Sequence, residues 1–172
     1  MASLTPNSTS LMNSHMYDFV DLRKCVKGPT TYCKGSLMDL INCNPDFSRF
    51  AYIVKLARLD KVFNDIQANF TVFVPSNRSI ANISEGVFTN LDISSARQIV
   101  LASTLKYRMT SCILKDSPSS YFVTMNPVES LFITNINNIT YISNCISIIC
   151  YDIEATNGII HVTDQMIWPY FT

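Results

Sequence analysis

The chain has 172 residues, of which 48% are hydrophobic and 15% charged, so it can bury one sizeable core and is not compositionally disordered. Its 13 basic and 13 acidic residues cancel, whereas a nucleic-acid-binding protein usually carries a basic excess, so we expect no nucleic-acid partner. The four glycines form neither a GxGxxG nor a GxxxxGK[ST] motif, and no apolar run reaches the ~18–20 residues of a transmembrane segment.

Residues 1–20 are rich in Ser, Thr and Asn and lack the basic and apolar regions of a signal peptide. We therefore expect a flexible tail there, and no signal peptide in this chain. Residues 21–35 predict a cysteine-containing arm, in which Cys25 and Cys33 could close a small loop around a Gly-Pro pair. Four cations of the arm could bind an acidic glycan or protein, but a solvated face is the interpretation we favour. These cations are Arg23, Lys24, Lys27 and Lys34.

A helical pattern begins at Ser36. SLMDLINC places three apolar residues on one face, and the next segment repeats apolar residues at i, i+3, i+4 and i+7. Asp46 is the predicted N-cap of this second helix. A third, short helix is predicted from Leu59 to Ile66. The predicted buried positions are Leu37, Leu40, Ile41, Phe47, Phe50, Ala51, Val54, Leu59, Val62, Phe63 and Ile66.

Strand patterns follow, interrupted by one longer helix. FTVFV alternates until Pro75 stops it, and SEGVF is typical of one helical turn. Residues 91–109 predict a helix with a Ser95–Gln98 capping box. Residues 121–169 then hold five short β-branched or aromatic runs, separated by Asn, Ser and Pro. Because helices come first and strands last, the order predicts an α+β fold rather than alternating βαβ units.

Six cysteines and five N-x-[ST] sequons bear on the compartment. Six cysteines allow fifteen full pairings, and the sequence neither chooses among them nor excludes free buried thiols. None forms a CxxC pair, so we expect no zinc site. Together the two features favour a secretory route and a secreted or cell-surface protein. The cysteines are Cys25, Cys33, Cys43, Cys112, Cys145 and Cys150, and the sequons are at Asn7, Asn69, Asn77, Asn82 and Asn138.

Catalysis would need a base, and the two histidines are His15 in the predicted tail and His161 in an apolar strand. In a half-buried strand His161 shares a face with Ile159 and Thr163, which favours a structural histidine held by a backbone or carboxyl partner. Neither a GxSxG nor an HExxH motif occurs. We therefore expect no catalytic residue, no metal and no cofactor, and keep an enzyme or small-ligand carrier as an alternative.

Two segments resemble the signatures of the fasciclin domain family. The first is FTVFVPSN at 70–77, and the second is DIEATNGIIHVTDQMIWP at 152–169. The resemblance covers about residues 36–170, in order and at the family's lengths. The matching signature residues include Thr71, Phe73, Pro75, Asn77, Asn157, Gly158 and His161.

This resemblance implies a single domain over residues 36–170 with an α+β fold, in which several helices pack on a bent β-sandwich or wedge. In such a domain we expect Thr71 and Asn157 to hold loop backbone groups. Gly158 is expected to supply a permissive backbone for a sharp entry into the last strand. Ile160 and Val162 are expected to point into the core.

Family members are mostly extracellular adhesion or matrix modules that act by binding, so the resemblance implies a cell-surface receptor, a matrix protein or a glycan as partner. The family's two integrin-binding segments match Tyr107-Arg108, where arginine replaces a histidine, and Asp152-Ile153. The Asp152 carboxylate could complete a receptor's metal site, although we favour a role in the fold for both residues of that pair. A viral or microbial mimic of a host adhesion domain is a further alternative, since heavy use of Asn and Ile is typical of an A+T-rich genome.

Overall fold

A computed structural model describes residues 33–169. The predicted tail at 1–20, most of the arm at 21–35, His15, Cys25 and the Asn7 sequon lie outside the described residues. Residues 33–169 form six α-helices and seven strands, with five of the helices and one strand before residue 103 and mostly strands after it. The helices are α1 Leu37–Cys43, α2 Ser48–Leu56, α3 Asp60–Phe63, α4 Glu85–Thr89, α5 Ile93–Ala102 and α6 Ser111–Asp116. The strands are β1 Phe70–Pro75, β2 Thr104–Leu105, β3 Ser120–Val123, β4 Ser130–Ile136, β5 Ile139–Ile142, β6 Ile146–Ala155 and β7 Gly158–Thr163.

The seven strands form one sheet in the order β2-β1-β7-β6-β5-β4-β3. β1 and β7 run parallel, from the Phe70–Gly158 pair to the Pro75–Thr163 pair, and all other neighbours run antiparallel. The sheet curls until its ends meet, because a bridge joins Leu105 to Thr124 and the Met125 N–H donates to the Thr104 carbonyl at 2.7 Å. The predicted α+β fold is confirmed, and its sheet is close to a closed barrel.

Curling divides the interior into two cores that lie on opposite faces of β1 and β7. One core lies between the helices and the sheet and includes Ile160 and Val162, as expected. The other fills the curled sheet with side chains from β1, β2, β4, β5 and β6, among them Phe73. All six residues of β7 are therefore buried, and the expectation that His161 lies in a half-buried strand was wrong.

The helices largely follow the predicted apolar stripes. Ser36 caps α1 through a capping box with Asp39, and the buried stripe of α2 is present. Ile66 is an exception, because it lies beyond the end of α3 and is 76% exposed. Apart from Ile66 and the half-buried Val62, every apolar position predicted in these three helices is buried: Leu37, Leu40, Ile41, Phe47, Phe50, Ala51, Val54, Leu59 and Phe63.

Three predicted helix boundaries were wrong, two because another polar side chain takes the cap and one because the helix ends early. Asn44, not Asp46, accepts the first backbone bond, which begins a 3₁₀ turn before α2. Asp92, not Ser95, caps α5 by accepting the Ser95 N–H at 2.7 Å, and this bond lowers the pKa of Asp92. Helix α5 also ends at Ala102, because the following residues turn into β2.

Cysteine pairing also departs from the expected small loop in the arm. Cys33 forms a disulfide with Cys43, whose Cα lies 6.2 Å away at the end of α1, so the predicted Cys25–Cys33 loop was wrong. Cys150 is also disulfide-bonded. Cys112 and Cys145 are free and exposed, which corrects their place among the candidate disulfide cysteines.

Candidate functional site

The predicted partner-binding residues come together at one end of the curled sheet. Tyr107 and Arg108 lie in loop 106–110, which connects β2 to α6. Asp152 and Ile153 lie in a bulge of β6, because three residues of β6 advance from the Cys150–Val162 pair to the Ile153–Ile160 pair while β7 advances two. Asp152 takes a left-handed backbone at this bulge, with φ of 58°. The bulge turns β6 outward beside loop 106–110.

His161 is buried beneath loop 106–110 and the β6 bulge and forms hydrogen bonds with both. Its ring is fully buried, its Nε2 lies 2.7 Å from the Met109 carbonyl oxygen, and its Nδ1 lies 3.3 Å from the Asp152 backbone nitrogen. Since a backbone N–H can only donate and a carbonyl can only accept, the ring is neutral, with its proton on Nε2. Phe73 and Tyr151 enclose the ring at centroid distances of 5.8 and 5.9 Å.

This environment makes His161 a brace rather than a base. Burial lowers the pKa of His161, and this outweighs the opposing effects of the Met109 carbonyl and the Asp152 carboxylate. Both ring nitrogens are occupied by backbone groups, so neither is available to a substrate proton. The alternative of an enzyme that uses His161 as its base is therefore wrong.

Asp152 uses its carboxylate within the fold. One oxygen accepts the backbone N–H of Ser111 at 2.8 Å, and the other accepts the Ser111 hydroxyl. Ser111 is the first residue of α6, so the carboxylate satisfies a free N–H donor at the start of that helix. Ile153 is partly buried against the helix-side core. Each Asp152 oxygen thus already accepts a hydrogen bond within the fold, which makes this half-buried carboxylate a poorer ligand for a receptor's metal ion than an exposed one.

Glu154 is a surface residue that sequence reasoning missed. Its exposed carboxylate forms an ion pair with the Arg108 guanidinium, which also donates to the Gly158 carbonyl at 2.8 Å. Tyr107 stands beside them with 40% of its surface exposed, and partial burial raises the pKa of its hydroxyl. We call Tyr107, Arg108 and Glu154 the loop–bulge surface. The bulge, which places Glu154 opposite Arg108, has no signature in the sequence.

Thr71 supports this surface from β1, as expected for a residue that holds loop backbone groups. Its buried hydroxyl donates to the Tyr107 carbonyl at 2.7 Å and accepts the Met109 N–H at 2.8 Å. Together with His161, it binds three backbone groups of loop 106–110, the Tyr107 carbonyl and the N–H and carbonyl of Met109. Side chains of the two parallel strands, β1 and β7, therefore hold the loop.

We expect Thr71→Val to destabilise the domain by about 2 kcal/mol, because the isosteric change leaves a buried carbonyl and a buried N–H without partners. Urea unfolding followed by circular dichroism measures the difference. Thr89→Val is a matched control, since the Thr89 hydroxyl makes one exposed bond of 3.3 Å. Equal stability of the two variants would contradict the assigned role of Thr71.

The remaining signature residues build the scaffold under the site. Asn157 accepts the Leu37 N–H at 2.7 Å and donates to the Phe63 and Asp65 carbonyls at 2.9 and 2.8 Å, so it joins β7 to α1 and α3 as expected. Gly158 has no left-handed backbone, which corrects the reason expected for it. A side chain there would instead collide with the Phe70 carbonyl and with Leu37.

The candidate glycosylation sites differ in their surroundings. Asn69, Asn82 and Asn138 are exposed. The Asn77 amide nitrogen donates to the Pro45 carbonyl at 3.0 Å and to the Ser48 hydroxyl at 2.8 Å, and its oxygen accepts the Arg49 N–H. A glycan on that nitrogen would replace one of these donated hydrogens, so Asn77 fits a structural role better than the other three.

Two clefts on the described surface lie apart from His161. One, of about 350 Å³, lies between α2 and α4, and the other, of about 430 Å³, is lined by Trp168 and the free Cys145. A catalytic cysteine needs a base, and His161 is the one histidine within residues 33–169. Over the same residues, no three His, Cys, Asp or Glu side chains are grouped to hold a metal ion, and no helix is long and apolar enough to cross a membrane.

Comparisons with known proteins agree with this architecture. The model of the fasciclin domain family matches residues 45–169. Transforming growth factor-beta-induced protein ig-h3 from Oryctolagus cuniculus is 26% identical over 137 residues, which are 78% of this chain and 19% of that protein. A solved structure of a FAS1 domain pair from the insect cell adhesion molecule fasciclin I has a TM-score of 0.68 at 19% identity, covering 78% of this chain and 51% of that chain. The chain thus spans about a fifth of the length of this curated relative.

Proposed function

This chain belongs to the fasciclin domain family, and we propose that it acts as a non-enzymatic extracellular adhesion module that binds a cell-surface or matrix protein. The family membership supports the class of function, since the matched structure is from a cell adhesion molecule.

The observation that carries the proposal is the bracing of the loop–bulge surface by His161. A buried ring that binds Met109 in the loop and Asp152 in the bulge fixes the spacing of two exposed segments that are far apart in sequence. A surface held rigid in advance loses little conformational entropy when a partner binds. Tyrosine and arginine are enriched in protein interfaces, and a carboxylate such as Glu154 is common at the polar rim of an interface.

The geometry of the loop–bulge surface makes Glu154, rather than Asp152, the carboxylate that we propose as a contact for the partner. Because both Asp152 oxygens already accept hydrogen bonds from Ser111, we expect an integrin-like receptor that uses a metal ion to engage the more exposed Glu154 carboxylate. Tyr107 and Arg108 remain as proposed contacts, and Asp152 and Ile153 hold the surface in place. A receptor that does not use a metal would instead bury the Tyr107 ring.

We expect Tyr107→Ala to reduce cell attachment to surfaces coated with this chain by at least about fivefold, as for a tyrosine at the centre of an interface. Attachment is counted at equal coating density, and thermal unfolding of each variant checks that the fold is intact. Tyr52→Ala is the matched control, because Tyr52 is 49% exposed on α2, on the helix side of the sheet.

A second pair of variants distinguishes the role of the Glu154 carboxylate from that of the Asp152 carboxylate. Glu154→Gln should weaken attachment and make the residual attachment independent of divalent cations, if the receptor uses a metal. Asp152→Asn should lower the unfolding temperature, because Asn retains only one acceptor oxygen for Ser111. Attachment that neither Tyr107→Ala nor Glu154→Gln changes would overturn the proposed surface.

A further inference from the structure

We propose that a cluster of four cations at the end of α2 binds a sulfated polysaccharide, and this inference rests on the proposed extracellular function. Lys55 is in the last turn of α2, Arg58 follows that helix, and Lys61 is in α3. Arg97 reaches the same corner from α5, where its guanidinium lies 3.4 Å from the Ala57 carbonyl oxygen. All four side chains are exposed. We call these four residues the basic corner.

The backbone at Arg58 gives the first argument. The Leu59 N–H donates to the Val54 carbonyl at 3.1 Å, and the Arg58 N–H donates to the Lys55 carbonyl at 3.0 Å. This pair of bonds is a Schellman motif, whose left-handed position favours glycine. Arg58 occupies that position with φ of 57°, where a residue with a side chain is strained. An arginine thus occupies a backbone position that glycine would fill with less strain.

The absence of ion partners gives the second argument. Within residues 33–169, the ion pairs are Arg49–Glu85 and Arg108–Glu154, so no described carboxylate neutralises the basic corner. Asp60 lies in the same segment but pairs with none of the four. Cations near the C-terminal end of α2 stabilise that helix through its dipole, but one or two cations are enough for this effect. Four unpaired cations on a chain with equal numbers of acidic and basic residues concentrate positive charge at one place.

The chemistry of the corner favours a sulfated glycan over other polyanions. Exposed cations on neighbouring elements suit a flexible chain with many sulfate groups, each of which makes a charge-assisted hydrogen bond. Within residues 33–169 the cation–π contacts are Arg49–Phe88 and Lys115–Tyr151, so none of the four corner cations lies over an aromatic ring, whereas proteins that bind single-stranded nucleic acids combine cations with stacking aromatic side chains. Anionic phospholipids are concentrated on the cytoplasmic leaflet, so they do not meet an extracellular module.

The test measures binding of the full chain to a heparin oligosaccharide by titration calorimetry over a series of salt concentrations. We expect Arg58→Gly to weaken binding roughly two- to fivefold, the range for one exposed charge pair, and to lower the salt slope by about one. The same variant should keep or raise the unfolding temperature, because glycine removes the left-handed strain. Arg58→Lys should retain most of the binding. Lost affinity without lost stability cannot be explained by misfolding.

Arg78→Ala is the control, since Arg78 is an exposed cation beside the opposite end of α2, where the adjacent Asn77 accepts the Arg49 N–H. An equal loss of binding with Arg78→Ala would overturn the basic corner, as would unchanged binding of Arg58→Gly. Desulfated heparin should bind more weakly than heparin. Equal or tighter binding to desulfated heparin, to phosphatidylserine vesicles or to polyuridylate would also overturn the proposal.

The same variants keep this inference separate from the adhesion surface. If Arg58→Gly loses heparin binding while Tyr107→Ala loses attachment, two surfaces act independently and both proposals are supported. If attachment depends on Tyr107 but heparin does not bind, the basic corner is rejected and the adhesion surface stands. If heparin binds through Arg58 but attachment ignores Tyr107, the adhesion surface is the one rejected.

Discussion

Gly158→Ala is expected to destabilise the domain by about 3 kcal/mol, the upper part of the range for overpacked interiors. The added methyl group would meet the Phe70 backbone carbonyl and lie 2.8 Å from Leu37 Cδ1. The carbonyl belongs to the residue that pairs with Gly158 in the parallel ladder, so it cannot move without disturbing the register of β1 and β7. The collision is therefore with backbone rather than with a flexible side chain.

Gly86→Ala is the matched control and should have the opposite sign. Gly86 lies within α4, and its nearest neighbour for an added Cβ is the Ser84 hydroxyl at 3.8 Å, which is ordinary contact. Alanine in a helix is favoured over glycine by about 0.5–1 kcal/mol. Urea unfolding of both variants gives the difference. Similar stabilities for the two would contradict the close approach assigned to Gly158.

Gly158 also illustrates what could be read from the sequence. The Asn-Gly pair correctly predicted the entry into β7, but a permissive backbone was the wrong reason, since its φ is not left-handed. The need for glycine comes from α1 and β1, which lie about 120 and 90 residues earlier in the chain. A local pattern identifies the turn, whereas the distance between packed elements is set by the tertiary fold.

The helices show the same difference between what local sequence predicts and what tertiary contacts determine. Apolar periodicity predicted the α1 and α2 stripes because burial repeats along a single element. It missed α6, a six-residue helix that begins where Thr110 caps it and Asp152 accepts the Ser111 N–H. One of these two groups lies 41 residues away. Short helices depend on such tertiary partners more than on their own sequence.

The candidate site was predicted in part, for a related reason. The family resemblance singled out Tyr107, Arg108, Asp152 and Ile153, whose two segments the fold places side by side. It did not reveal that the bulge turns the Asp152 carboxylate toward Ser111 and presents Glu154 to Arg108 instead. An extra residue in a strand shifts which side chains face outward, and the sequence carries no periodic mark of that shift.

His161→Phe is expected to destabilise the domain by about 3 kcal/mol at pH 7, because the Met109 carbonyl and the Asp152 N–H both lose their buried partner. Phenylalanine is similar in size and retains the stack on Phe73, so the loss reports the two hydrogen bonds rather than a cavity. Loop 106–110 should also open, which proteolysis or hydrogen exchange at Tyr107 and Arg108 would detect.

The pH dependence of stability tests the same two hydrogen bonds of His161 in the native chain, where no substitution introduces a cavity or a clash. Burial lowers the folded-state pKa of His161 below its ordinary value of 6.5, so the unfolded chain binds a proton first as the pH falls. The stabilising contribution is complete above pH 6.5 and is lost as the pH falls toward the folded-state pKa, by up to about 1.4 kcal/mol for each pH unit. Asp152, the charged neighbour of the ring, opposes this shift but does not reverse it.

Urea unfolding between pH 7.5 and 5 should therefore show a steeper loss of stability for the native chain than for His161→Phe. Other titrating groups contribute equally to both proteins, so the difference between the two curves isolates His161. His15→Phe, which changes the other histidine of the sequence, should leave the steep curve unchanged. Parallel curves for the native chain and His161→Phe would mean that the ring is not held neutral between Met109 and Asp152.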